Sequence, residues 1–209
     1  MKVVIFDMDG TLLDSKKDIT ISINHTRKIN HKLPPLSEEF VVDAINMHDR
    51  NLAKLFYNSD IYLSEDKALF EEHYAVQCVQ NSYLYGGVKE VLHRLVECSV
   101  KISVATNAPT EFAVRMLSHL GVYELFDIVI GSDRVKAIKP DPEMLNTILK
   151  FYGFNKNSHK AWMIGDNSKD MLSAKNAGIA PIFVTWGFSS NGVGGVTLKN
   201  PKEILEIVL

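Results

Sequence analysis

The sequence predicts an α/β protein: a Rossmann-like, doubly wound parallel sheet core with a small all-helical domain inserted after the first strand. Two observations predict it. Short continuous apolar runs alternate with amphipathic helical patterns along most of the chain, the rhythm of a parallel sheet buried on both faces. One stretch, from Ser15 to about Tyr85, breaks that rhythm and carries helical patterns alone.

The first apolar run is Val3-Val4-Ile5-Phe6, ended by Asp7 and Gly10. Similar runs follow at Ile102-Ser103-Val104-Ala105, Ile128-Val129-Ile130, Trp162-Met163-Ile164 and Pro181-Ile182-Phe183-Val184. Between them, Val88, Val91, Leu92 and Leu95 fall at i, i+3, i+4 and i+7, one face of a helix begun after Gly86-Gly87. Helices are predicted over Pro109–Leu120, Pro142–Tyr152 and Ser168–Ala177, each closed by a glycine, and the first two opened by proline. Within the insert, helices are predicted at about Asp18–Asn30, Ser37–Ile45, Asp49–Tyr57 and Glu65–Ser82. The expected domains are therefore 1–14 with 86–209 as the core, and 15–85 as the helical insert. The Gly- and Ser-rich run Trp186 to Gly195 lacks the Lys-Ser/Thr of a P-loop and reads as a surface loop.

Composition sets bounds on function. An apolar fraction of 46% supplies a real core. A net charge of −2 argues against nucleic acid or an anionic membrane as partner. No stretch approaches the roughly 20 apolar residues of a membrane span, and the four apolar residues before Asp7 are too few for a signal-peptide core. Cys78 and Cys98 fit no metal-ligand pattern, and the seven histidines show no HExxH or close zinc pairing. The expectation is a cytoplasmic protein, monomeric by default.

In open α/β sheets, ligands bind outside the carboxyl ends of the strands. Asp7 and Asp9 stand there after the first run, Thr106 and Asn107 after the second, Lys139 with Pro140 a short loop after the third, and Asp166 and Asp170 after the fourth. Taken singly, each has a plain alternative: an acidic turn, a helix cap, a surface lysine, and a first-turn acid complementing a helix dipole. Together, four turns in order carry one chemistry. Carboxylates hold Mg²⁺, which takes hard oxygen ligands. An ionised Asp7 can attack phosphorus, Asp9 can move a proton to a leaving alkoxide and from a water, and Thr106 and Lys139 can hold phosphoryl oxygens. Gly10 supplies the backbone freedom that lets Asp7 and Asp9 address one centre from a tight turn.

These motifs resemble those of the haloacid dehalogenase-like hydrolase superfamily. Phe6-Asp7-Met8-Asp9-Gly10-Thr11-Leu12-Leu13-Asp14-Ser15 is similar to its first motif, Ala105-Thr106-Asn107 to the second, Lys139-Pro140-Asp141-Pro142 to the third, and Gly165-Asp166-Asn167-Ser168-Lys169-Asp170 to the fourth. Asn176-Ala177-Gly178 and Thr185-Trp186-Gly187 sit where related phosphatases carry similar runs. The insert looks like the helical cap of the phosphoglycolate phosphatase and β-phosphoglucomutase branch. The resemblance implies a phosphoaspartate on Asp7, general acid/base work by Asp9, phosphoryl binding by Thr106 with a further contact from Asn107, and charge neutralisation by Lys139. It implies Mg²⁺ held by Asp7, Asp166 and the Asp9 carbonyl, with Asp170 acting on the metal indirectly or orienting Lys139. The cap run Ile45–Asn51 lacks the glycine expected in that branch, and Arg50 is its best candidate for a substrate anion. The expected partner is a small phosphorylated metabolite, phosphoglycolate-like or a sugar phosphate. A phosphomutase stays open, since the motifs do not say whether water or a substrate hydroxyl accepts the phosphoryl group. A dehalogenase needs no proton donor such as Asp9, and a receiver-type signalling module carries no such insert.

Overall fold

The computed structural model describes residues 1–47, 50–189 and 195–209. Among them lie eight strands. Six form one parallel sheet, and those are β1 (Lys2–Phe6), β4 (Lys101–Ala105), β5 (Ile128–Ile130), β6 (Lys160–Gly165), β7 (Ala180–Val184) and β8 (Val196–Leu198). Its order is β5-β4-β1-β6-β7-β8. The two-residue strands β2 (Leu13–Asp14) and β3 (Tyr83–Leu84) lie where the chain leaves and re-enters the core. The chain divides into two compact units, Met1–Asp14 with Leu84–Leu209, and Ser15–Tyr83.

In the first unit the strands alternate with α5 (Val88–Glu97), α6 (Thr110–His119), α7 (Glu143–Phe151), α8 (Ser168–Ala177) and α9 (Glu203–Val208). The register pairs Phe6 with Val104 on one side and with Ile164 on the other, so β1, β4 and β6 end level. The chain builds outward from β1 through β4 to β5, then returns beside β1 as β6. That reversal puts the topological switch point next to β1, where open α/β sheets bind ligands. One core layer joins Val3, Ile5, Ala161 and Met163 of the sheet to Met144, Leu145 and Ile148 of α7. Burying each such side chain contributes about 1.5–3 kcal/mol, which fixes the sheet as a rigid platform.

The second unit contains α1 (Lys16–Thr26), continued by a π-helical turn (Arg27–His31), then α2 (Glu38–Asn46), α3 (Leu52–Tyr57) and α4 (Ser64–Gln77). Ile23, Val41, Ala44, Phe56 and Tyr57 form its core. The Asp18 carboxylate, fully buried, accepts from Gln77 Nε2, Asn81 Nδ2 and the backbone N–H groups of Asn81 and Ser82, tying α1 to the end of α4. Ser37 and Asn51 cap α2 and α3 by accepting from Phe40 N–H and Lys54 N–H. The Asn51 cap starts α3 later than the predicted Asp49, and Asp49 itself, with His48, lies outside the described residues.

Two core elements were not expected. β8 falls just after the Gly-rich run, part of which, residues 190–194, lies outside the described residues. Val196-Thr197-Leu198 is broken by a polar residue and buries only Leu198, so it does not stand out as a strand by pattern, and α9, six residues long, offers only Ile204 and Val208 as buried positions. Among the described residues, no helix is long and apolar enough to cross a membrane.

Candidate active site

The turn after β1 winds on one carbonyl. Thr11, Leu12 and Leu13 N–H groups all point to Met8 O at 2.9–3.2 Å, and Gly10 N–H returns to Leu13 O at 2.9 Å. Gly10 takes φ +81°, a left-handed conformation that a side chain would strain. Met8 is fully buried, and Asp7, whose own N–H donates to Ile164 O, stands at the sheet's carboxyl edge.

Lys139 reaches the same place. Its ammonium is buried and donates to Asp7 Oδ1 and to Asp170 Oδ1, both at 2.6 Å. Burial alone would depress the Lys139 ammonium, but the charges of Asp170 and Asp7 outweigh it and hold the group above its ordinary value. The lysine's backbone is gripped by Asn107: Lys139 N–H donates to Asn107 Oδ1, and Asn107 Nδ2 donates to Lys139 O, each at 3.0 Å. Asn107, expected to contact substrate, thus has both ends of its amide engaged with Lys139. Thr106 is buried beside it, and its hydroxyl accepts from Ala108 N–H.

The first turn of α8 supplies the remaining acids. Asn167 caps the helix by accepting from Lys169 N–H, while Asp170 Oδ2 accepts from Asn167 N–H, a reciprocal capping box. Asp170 therefore serves the helix with one oxygen and Lys139 with the other. Burial and the Asp7 charge push the Asp170 carboxyl up to about 6, against the pull of Lys139. Asp166 is raised well above its ordinary value, first by burial, then by the charges of Asp7 and Asp170. Ligand atoms of Asp7, Asp166 and Asp170 lie within 4.8 Å of one another. Three buried carboxylates face one ammonium, so the cluster carries an excess of negative charge that a divalent cation would relieve.

Asp7, Lys139, Asp166 and Asp170 are brought together by direct geometry, with Thr106 and Asn107 at the adjoining strand end. Asp9 is partly exposed in the turn after β1. Arg50 belongs to the helical unit, where its guanidinium donates to Ile45 O and Met47 O at the end of α2; burial lowers its pKa. Sequence reasoning missed the contribution of the turn after β7. Phe188 N–H donates to Asp166 Oδ2 at 2.6 Å, and Trp186 Nε1 donates to Thr11 O at 3.0 Å. The only signal was the resemblance of Thr185-Trp186-Gly187 to related sequences.

A parallel sheet whose first, second and fourth strands converge on buried carboxylates and a lysine has a counterpart among known proteins. The chain belongs to the haloacid dehalogenase-like hydrolase family, whose model matches residues 4–184. A phosphoglycolate phosphatase of Vibrio parahaemolyticus is 32% identical over 227 residues, covering all of this chain and 96% of its own length. An N-acetylmuramic acid 6-phosphate phosphatase of Pseudomonas aeruginosa is 29% identical over 217 residues, covering all of this chain and 95% of its own. The crystal structure of a predicted phosphoglycolate phosphatase from Haemophilus somnus superposes with a TM-score of 0.85 at 25% identity, covering all of this chain and 98% of that one.

Proposed function

We propose that this protein is a phosphatase that hydrolyses a small phosphate monoester through an aspartyl phosphate on Asp7. The observation that carries the reading is the buried Lys139 ammonium held at 2.6 Å from both Asp7 and Asp170. A lysine in that position steers the Asp7 carboxylate and adds positive charge where phosphoryl oxygens must sit. A carboxylate oxygen of Asp7 attacks phosphorus, and the bond to the leaving oxygen breaks. Asp9 gives that oxygen a proton and later takes one from the attacking water. Water then displaces Asp7 from phosphorus, releasing inorganic phosphate and regenerating the carboxylate. Thr106 donates a hydrogen bond from its hydroxyl to a phosphoryl oxygen.

Mg²⁺ would be held by Asp7, Asp166 and the Asp9 carbonyl, where it would neutralise phosphoryl charge. Asp170, bonded to Lys139, is a positioning residue. The helical unit Ser15–Tyr83 is assigned the role of a cap, with Arg50 as its candidate for a substrate anion once released from the α2 carbonyls. Two relatives that act, by name, on phosphoglycolate and on a phosphorylated amino sugar support a small phosphorylated acid or sugar as substrate. Two cysteines, Cys78 and Cys98, held as thiols rather than as a disulfide suit a cytoplasmic location.

Purified protein with Mg²⁺ is expected to release inorganic phosphate from an aryl phosphate, and Asp7→Asn to lose about 10³-fold or more. Phosphate release that survives Asp7→Asn would sink the mechanism. A panel of phosphorylated acids and sugars then identifies the substrate, and a phosphoryl group moved between hydroxyls of one substrate, without phosphate release, would make the protein a mutase instead.

A further inference from the structure

The turn after β7 presses on the site without having a role in the chemistry above. Thr185 anchors it, its N–H and its hydroxyl both donating to Leu198 O of β8 at 3.0 and 3.2 Å. Next along the chain, the Trp186 indole N–H holds the carbonyl of Thr11 in the turn after β1. Phe188 N–H then donates to Asp166 Oδ2 at 2.6 Å, a charge-assisted bond to a buried carboxylate. Between these two contacts stands Gly187. A Cβ there would lie 1.9 Å from Gly10 O and 2.6 Å from both Asp166 Cβ and Asp166 Oδ2. The approach is backbone against backbone on one side, so a side chain at this position has no room without moving the Asp9–Gly10 turn. Gly10 also lies close to Asp166: a Cβ there would lie 2.3 Å from Oδ2.

The Asp166 carboxylate is therefore packed against two glycines, with Oδ2 taken by the Phe188 N–H. Oδ1, approached by the Thr11 hydroxyl at 3.4 Å, is the oxygen left for a cation. We propose that Trp186, Gly187 and the Phe188 N–H form a positioning clasp that sets the Asp166 carboxylate and the turn after β1 in the arrangement a divalent cation requires. The clasp touches neither substrate nor cation. It acts by fixing one ligand's torsions and by locking two loops from opposite ends of the chain to each other, so the ordering cost is met on folding rather than on binding. This inference rests on the reading of Asp166 as a metal ligand.

The test is Mn²⁺ titration of the full chain without substrate, reading free Mn²⁺ by electron paramagnetic resonance, alongside far-UV circular dichroism. Gly187→Ala is expected to weaken Mn²⁺ binding about tenfold or more, the range seen when groups orienting a ligand are altered. Trp186→Phe keeps an aromatic side chain but loses the indole N–H and its bond to Thr11 O, along with part of the ring; it is expected to weaken binding several-fold with a native spectrum. A purely structural turn would shift the melting temperature and leave the affinity of folded protein unchanged. Wild-type Mn²⁺ affinity in both variants, with binding abolished in Asp166→Ala, overturns the clasp and spares the metal reading. Should Gly187→Ala not fold, Trp186→Phe decides alone. Wild-type affinity in Asp166→Ala overturns the assignment of Asp166, and the clasp with it.

Discussion

Lys139 is the residue on which the site turns. A lysine 3% exposed is costly to bury, and it stays charged because two carboxylates flank it at 2.6 Å. The same contacts keep Asp7 oriented and give Asp170 a partner. Removing the ammonium leaves Asp7, Asp166 and Asp170 facing one another with no cation between them. Lys139→Ala is therefore expected to destabilise the metal-free protein by about 3–5 kcal/mol, the cost of breaking a buried ion pair from one side. Urea unfolding in the presence of a chelator measures it. Added Mg²⁺ should recover part of the stability but not the turnover, because the cation restores positive charge and not the grip on Asp7. A loss below about 1 kcal/mol would mean that the carboxylates simply take up protons in the lysine's absence.

Among the elements, the helical unit has its own electrostatics. His25 of α1 and His73 of α4 stack with ring centroids 4.1 Å apart, and Ser22 Oγ lies 2.9 Å from His73 Nδ1. Burial, then the charge of His25, lowers the His73 pKa below its ordinary 6.5. The unfolded chain therefore accepts a proton at a pH where folded His73 refuses it. That contribution to stability is fully present above 6.5 and is lost as pH falls through the lowered value. Thermal melts of wild type and His73→Gln between pH 7.5 and 5.5 should diverge, the wild type losing more of its melting temperature toward acid. Parallel slopes would remove His73 from the account. The α8 capping box makes a different use of an element's end: Asn167 and Asp170 terminate the helix and place a carboxylate on Lys139 in one turn.

The whole molecule is a charge balance completed from outside. Asp166 and Asp170 are both held above the ordinary carboxylate range, so a cation binding the ionised cluster competes with protons. Divalent binding is expected to release protons and to weaken as pH falls from 7.5 toward 5.5, through the value of about 6 that marks Asp170. Isothermal titration in two buffers of different ionisation enthalpy reads the proton count directly. Chelation should abolish phosphate release, and saturating Mg²⁺ at 100 times its dissociation constant should add about 2.7 kcal/mol of stability. Proton-neutral binding, or turnover indifferent to chelator, would contradict this picture.

Local pattern carried much of the fold and site. Apolar runs ending in Asp7, Thr106 and Asp166 mark strands and their carboxyl ends at once, because burial on both faces demands continuous apolar residues and the first polar residue then falls where ligands bind. The helical stretch after Asp14 is equally plain, since a period near 3.6 needs no distant partner to be seen. Other features depend on residues far apart in the chain. That Asn107 exchanges two hydrogen bonds with the backbone of Lys139, 32 residues on, is visible only in the structure. Arg50 is a candidate anion binder by residue type, and only the structure shows its guanidinium donating to carbonyls at the end of α2. β8 exists because Ile182, Phe183 and Val184 offer an edge to pair with, not because three residues declare a strand. Trp186 and Gly187 look like loop residues until Thr11 and Gly10, some 175 residues earlier, are packed against them. The sequence by itself determined which polar residues follow the strands of the core sheet, because a strand buried on both faces ends where its apolar run ends. The tertiary structure alone decided which of their neighbours hold them in place, because hydrogen bonds and close packing between distant segments leave no period in the chain.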